Sequence, residues 1–189
     1  MALAPDRRWQ RLTDTAYRCP CCGKEVQGVL DVGYDHPDAW PHVSYRKNGG
    51  TVTVGHDRLT ADLCSTGNRF YLRGLLAFPI RGTDADFSFG PWAEVASPTF
   101  EAYRTAFGTT EEAALGASPA HLANALPGFP DSAGLPLTIR FLGGPDRPHF
   151  TVTEPSHLDA AQRDGIDFDD LLDIYATFGH DLRPHLGEA

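Results

Sequence analysis

Three of the four cysteines of this 189-residue chain fall in one short segment, Arg18-Cys19-Pro20-Cys21-Cys22-Gly23. Cys19 and Cys22 have the Cys-x-x-Cys spacing, and Gly23 follows directly. A turn of this kind directs two thiolates toward one metal ion, and the glycine lets the backbone pass close behind them. Because a tetrahedral zinc ion needs two further ligands, the segment predicts a zinc-binding knuckle whose other ligands come from elsewhere in the chain.

Thiol–disulfide exchange is the alternative chemistry for a Cys-x-x-Cys pair. Redox motifs of this type begin a helix, where the helix dipole lowers the pKa of the first thiol. Here the residues after the pair, 23–29, have the composition of a turn and a strand, which favours metal binding. The chain contains no glycine-rich phosphate loop, no Gly-x-Ser-x-Gly and no His-Glu-x-x-His, so no catalytic residues are predicted.

The charge balance restricts the class of partner. With 16 basic and 25 acidic residues the net charge is -9, which argues against non-specific binding of nucleic acid and against docking on an anionic membrane. No apolar stretch approaches the ~20 residues of a membrane span, and the first residues lack the hydrophobic region of a signal peptide. Clustered cysteines do not suit a secreted disulfide framework, so we expect a cytoplasmic protein.

The rest of the chain must position the cysteines. Its predicted strands and helices alternate without a regular βαβ order. Residues 69–80 and 87–96 predict an antiparallel pair at the centre of a sheet, and Ser97-Pro98 predicts the start of a helix. Residues 110–126 predict two short helical pieces, the second restarting at Ser118-Pro119. Ser156 and Asp167 are predicted to cap two final helices.

The predicted fold class is therefore α+β, with a central antiparallel sheet, flanking helices and an N-terminal Cys-x-x-Cys knuckle. The predicted organisation is a flexible lead-in at residues 1–17, a single α+β domain at 18–180 that includes the knuckle, and a C-terminal tail at 181–189. We find no internal repeat and no low-complexity segment.

Several segments, taken in order, resemble a bacterial family of uncharacterised proteins, domain of unknown function 2199. They are Cys19–Gly23, Asp62–Cys64, Phe70–Ile80, Phe89–Trp92, Phe100–Tyr103, Leu126–Pro130, Glu154–Leu158 and Gln162–Ile166. The resemblance implies a shared fold and a bacterial origin, and it implies no activity. The chain departs from the family in two places. It has Val26 and Gln27 where members place a histidine, and Ser156-His157-Leu158 where they have Asp-His-Pro-Leu.

The resemblance also implies the third metal ligand, because it places Cys64 with the knuckle as a recurring cysteine. We predict a zinc site of Cys19, Cys22 and Cys64, with His157 as a candidate fourth ligand. The other candidates for the fourth position are His36, His42, His56 or a water molecule. A closed site would staple a non-catalytic domain that binds a protein or a small ligand. An open position held by water would instead suit a zinc-dependent hydrolase.

Overall fold

The computed structural model describes residues 6–14, 17–26, 28–44 and 50–186, and these form eleven strands and five α-helices. The strands are β1 (Val32–Gly33), β2 (Val52–Val54), β3 (Asp57–Leu59), β4 (Leu63–Thr66), β5 (Arg69–Arg73), β6 (Leu76–Pro79), β7 (Asp86–Gly90), β8 (Trp92–Val95), β9 (Ala117–Leu122), β10 (Pro136–Arg140) and β11 (His149–Val152). The helices are α1 (Arg7–Leu12), α2 (Ser97–Ala106), α3 (His157–Asp164), α4 (Phe168–Thr177) and α5 (Arg183–Leu186), with a 3-10 helix at Thr110–Leu115. The predicted α+β class is confirmed.

Two compact units divide the chain. Unit 1 comprises Met1–Asp31, Ala77–Ser88 and Ala160–Ala189, and unit 2 comprises Val32–Leu76 and Phe89–Asp159. The predicted lead-in and tail lie partly outside the described residues, but α1 and α5 form within their described parts. Among the described residues, no helix has the length and apolar character needed to cross a membrane.

Unit 2 is built on an eight-stranded antiparallel sheet with the order β11-β10-β9-β8-β5-β4-β3-β2. The predicted central pairing is confirmed, since β5 lies antiparallel to β8 with Phe70 opposite Val95. On one face Leu59, Cys64 and Tyr71 stand opposite one another across β3, β4 and β5. These three side chains are fully or almost fully buried and form one core cluster of unit 2 with two tryptophans, Trp40 and Trp92.

Residues 69–80, predicted as one long strand, are interrupted after Arg73. Gly74 sits so close to the β11 segment that an added Cβ would lie 2.3 Å from the Phe150 ring. The amide of Leu75 donates to the carbonyl of Pro148 at 2.8 Å. The chain leaves the eight-stranded sheet at this point, and β6 joins a separate three-stranded sheet with the order β1-β7-β6.

Helix α2 begins at Ser97-Pro98 as predicted and lies against the face of the sheet opposite Tyr71. Phe100 is 6% exposed and its ring centroid lies 5.1 Å from that of Phe70. Tyr103 is buried against Phe141, with 5.2 Å between centroids. These contacts follow the helical spacing of the aromatic residues.

The predicted second helical piece, restarting at Ser118-Pro119, is wrong. Ala117–Leu122 is strand β9, which lies between β8 and β10. Ala120 and Leu122 are buried while their neighbours are more exposed, which is the alternation of a strand with one covered face. A local preference of an alanine-containing segment for helix is overridden because pairing on both sides satisfies the backbone and buries Leu122.

Unit 1 gathers three chain segments. Helix α4 is started by a capping box, in which the Asp167 side chain accepts from the helix backbone and Asp170 accepts from the Asp167 amide at 3.0 Å. Buried side chains of α4 include Leu171, Leu172 and Tyr175. The Tyr175 ring packs edge-on against Phe87, 6.2 Å between centroids. Capping by Asp167 is as predicted.

Candidate metal centre

The cysteine segment of unit 1 forms a tight turn held by backbone hydrogen bonds. The amide of Gly23 donates to the carbonyl of Cys19 at 2.7 Å, and the amide of Cys19 donates to Lys24 at 2.9 Å. Gly23 has φ +72, a left-handed conformation that residues with a side chain rarely adopt. An antiparallel bridge between Arg18 and Glu25 closes the base of the turn. The turn therefore fixes the backbone from which the cysteine side chains project.

His180 is positioned by the end of helix α4. Gly179, with φ +82, donates its amide to Ala176 at 3.0 Å, and His180 donates its amide to Tyr175 at 2.9 Å. These two bonds are the pair that defines a Schellman motif, which ends a helix and redirects the chain. His180 is the first residue after the glycine, so the helix end sets the direction of its side chain.

The Cys turn and the end of α4 bring Cys19, Cys22 and His180 together. Their ligand atoms all lie within 4.8 Å of one another, and Cys19 Sγ lies 3.4 Å from His180 Nδ1. Zinc–sulfur and zinc–nitrogen bonds of about 2.3 and 2.0 Å place the two atoms about 3.5 Å apart around a tetrahedral ion. Cys19 is buried, Cys22 is exposed and His180 is half-buried. These two thiols and one imidazole could hold a metal ion.

The surroundings of the Cys19 thiol change its pKa. Burial raises the pKa of Cys19, but hydrogen bonds from His180, from the amides of Cys22 and Cys21 and from the Cys22 side chain outweigh it and lower this pKa to about 7. Thiolate is the form that coordinates a metal. The neighbouring Cys21 does not belong to the group; its Sγ lies 3.7 Å from the Asp181 carbonyl oxygen, a second contact between the turn and the segment after α4.

Cys64 and His157, predicted as ligands, lie in unit 2 and are not members of this group. Cys64 is 1% exposed in the aromatic core beside Tyr71. His157 begins α3 and is exposed at the rim of a cavity of about 250 Å³ that Phe129 and Asp131 also line. Participation of these two residues in metal binding stays a prediction.

The competing histidines also lie in unit 2, and two of them have other partners. His42 Nε2 is 2.8 Å from Asp57 Oδ2, and His36 Nδ1 is 2.9 Å from the Pro37 carbonyl oxygen. His56 is exposed between β2 and β3. None of the three belongs to the described Cys/His group.

Sequence reasoning missed His180. This residue lies 161 positions after Cys19, so no local spacing connects the two. The available signal is a glycine followed by histidine after the helix that Asp167 caps. That pattern marks a fixed side-chain direction, but it does not say toward which part of the chain the side chain points.

The local structure also bears on the redox alternative. Cys19 occupies a turn that runs into the Arg18–Glu25 bridge, and no helix begins at residues 19–25. The dipole of a following helix is therefore missing from this described segment, and His180 and turn amides lower the pKa of Cys19 instead.

The sequence profile of one protein family matches residues 18–166, and its description is an uncharacterized protein conserved in bacteria (DUF2199). Searches of curated proteins and of solved structures gave no match. The matched range includes Cys19 and Cys22 and ends before His180, so the third member of the group lies beyond it.

Proposed function

We propose that this chain, which belongs to the DUF2199 family of uncharacterized bacterial proteins, is a zinc-stapled, non-catalytic binding domain that works in the cytoplasm. Zinc would be held by Cys19, Cys22 and His180. The domain would bind a small ligand or a protein partner. The observation that carries this proposal is the 3.4 Å contact between Cys19 Sγ and His180 Nδ1, which joins two parts of the chain at zinc-like spacing.

The staple would act on unit 1. The cysteine turn and the end of α4 come from the first and the last of the three segments that make up this unit. A metal that binds both segments stabilises the folded state, because the unfolded chain must close a long loop to bring His180 back. No disulfide joins the four cysteines of the described residues, which suits a reducing compartment where zinc rather than a disulfide supplies such a cross-link.

The surroundings of the group support a stapling role over catalysis. A cavity of about 470 Å³ lies beside the turn and is lined by Arg11, Asp14, Tyr17, Arg18, Pro20, Pro184 and His185. Cys19, Cys22 and His180 are not among the residues that line it. A catalytic zinc needs an open position facing a substrate cavity with a nearby base. In the described part of unit 1, Arg18 and Pro20, the sequence neighbours of Cys19, line this cavity, but the three candidate ligands do not.

Metal content tests the proposal. Protein purified without a metal-affinity tag should contain about one zinc per chain, and Cys22→Ser and His180→Gln should each lose it because two ligands hold zinc far more weakly than three. Cys21→Ser is the matched control, since this neighbouring thiol is outside the group and should leave the zinc in place. Absence of zinc from fresh, reduced wild-type protein, or full zinc in His180→Gln, would refute the site.

Cys64→Ser and His157→Gln address the sequence prediction of the ligands. We expect both variants to keep zinc, and thermal melting should accompany the Cys64 measurement because this residue is in the core of unit 2. Zinc lost from Cys64→Ser that still melts as the wild type would restore the three-cysteine site and remove His180 from the proposal.

A zinc-dependent hydrolase is the alternative function, and the fourth ligand separates the two. X-ray absorption of the zinc-loaded protein counts the sulfur and the nitrogen or oxygen neighbours of the ion. Two sulfur and two histidine-type nitrogen neighbours would support a closed staple. An exchangeable oxygen at about 2.0 Å, together with hydrolysis of a chromogenic ester that His180→Gln loses, would favour the enzyme.

A further inference from the structure

One face of the unit 2 sheet carries a row of three unlike side chains. Arg58 on β3 stands directly opposite Ser65 on β4, and Ser65 stands opposite Phe70 on β5. Directly opposed residues of antiparallel strands project from the same face of a sheet. The row therefore places a cation, a hydroxyl group and an aromatic ring side by side, on the face opposite Cys64 and Tyr71.

Helix α2 turns this row into a groove. Phe100 packs on Phe70 at 5.1 Å between ring centroids, and Glu101 and Arg104 follow on the same helix. The resulting cavity measures about 320 Å³. Its lining residues are Arg58, Thr60, Leu63, Ser65, Phe70, Phe100, Glu101 and Arg104. This volume is at the lower end of the range for small-molecule sites, which is about 300–1,000 Å³.

Some polar groups of the groove already form ion pairs within the protein, and others do not. Glu101 and Arg104 form an ion pair at 2.6 Å within the helix. In the part of the chain that the structure describes, Arg58 and Ser65 make no side-chain hydrogen bond or ion pair. Thus the donor groups of the row remain available, while two phenylalanine rings form an apolar wall next to them.

We propose that this groove binds a small-molecule carboxylate with an apolar, aromatic or branched body. Two arginines against one glutamate give the lining one net positive charge, which a monoanion neutralises. A carboxylate matches the parallel N–H groups of the Arg58 guanidinium, and the Ser65 hydroxyl is the second donor. The body of the ligand lies against Phe70 and Phe100, where burial of apolar surface supplies affinity.

This inference names a ligand class for the proposed binding role, and it does not depend on the metal. The groove lies entirely in unit 2, whereas Cys19, Cys22 and His180 belong to unit 1. Zinc content and ligand binding are separate measurements, so failure of one proposal is distinguishable from failure of the other.

The test is an NMR titration of the full-length, ¹⁵N-labelled chain with 3-phenylpropionate. Saturable shifts should appear at the backbone amides of β3, β4 and α2 and at the Arg58 side-chain N–H. The neutral 3-phenylpropanamide should bind about tenfold or more weakly, since it lacks the charge that pairs with the guanidinium. Arg58→Gln should lose a similar factor, and Ser65→Ala a smaller one.

Arg140→Gln is the matched control, because Arg140 is an exposed arginine on β10 of the same sheet and does not line the groove. It should bind 3-phenylpropionate as the wild type does. Equal binding of the acid and the amide, equal binding by Arg58→Gln and the wild type, or no saturable shift at millimolar ligand would overturn the proposal. Tighter binding of phenyl phosphate than of 3-phenylpropionate would overturn the carboxylate assignment.

Discussion

Replacing His180 by glutamine should abolish most of the stability that zinc gives to the chain. In the unfolded chain, the local Cys-x-x-Cys spacing keeps Cys19 and Cys22 close together, although two ligands hold zinc only weakly. His180, in contrast, must return across 161 positions. The entropy of closing a loop of this length corresponds to about 5 kcal/mol at 25 °C. The wild type at saturating zinc should therefore exceed His180→Gln by up to about 5 kcal/mol in the free energy of unfolding.

Urea denaturation with zinc and with a chelator measures this difference. In the chelator, the two proteins should differ by only about 1 kcal/mol, the contribution of the Cys19–His180 hydrogen bond. Zinc should then raise the wild-type midpoint and that of Cys21→Ser, and it should barely move that of His180→Gln. If zinc stabilises His180→Gln as much as the wild type, the metal does not connect the cysteine turn to the end of α4, and the reasoning fails.

Three further predictions concern buried or constrained positions. Asn124→Ala should cost about 3–5 kcal/mol in urea denaturation, because Asn124 is fully buried and its loss leaves the buried amide of Trp92 and two acceptors without their partner. Glu112→Gln should stabilise the chain at neutral pH, because burial raises the pKa of Glu112 above 4.5 and the wild type therefore loses unfolding free energy as pH rises above that value. Denaturation at several pH values should show that the variant is no longer more stable than the wild type below pH 4.5. Gly165→Ala should lower the free energy of unfolding by about 2–3 kcal/mol in thermal melting, because φ is +84 and an added Cβ would lie 2.7 Å from a backbone oxygen. The control Gly144→Ala, with φ +75 and open space around the added Cβ, should lower it by about 1 kcal/mol.

Features with a local cause were predictable from the sequence. The helix starts at Ser97-Pro98 and at Asp167 depend on residues within one turn, and both are present in the structure. The Cys19–Cys22 pair could be identified for the same reason, since its chemistry depends on a spacing of three residues. In each case the interacting residues are only a few positions apart in the sequence, so the local sequence contains the cause.

Features with a distant cause were not predictable. Strand β9 is a strand because β8 and β10 pair with it on both sides, and Ser118-Pro119 alone indicates a helix. The break after Arg73 results from the close approach of Phe150 to Gly74. His180 reaches Cys19 only through the folded arrangement of unit 1. The groove of Arg58 and Ser65 likewise requires the strand register, which the sequence does not contain explicitly.

Because unit 1 consists of three chain segments, unit 2 is fully synthesised during translation before unit 1 is. Unit 2 has all of its residues by Asp159, while unit 1 still lacks its last segment. At about 5–20 residues per second, the 161 positions between Cys19 and His180 take roughly 8–30 s to synthesise. A proposed zinc centre that uses His180 would therefore form only after the last segment of unit 1 has been translated. Products interrupted before that segment would keep Cys19 and Cys22 without His180, and proteases that act on unfolded segments would distinguish them from chains that carry it.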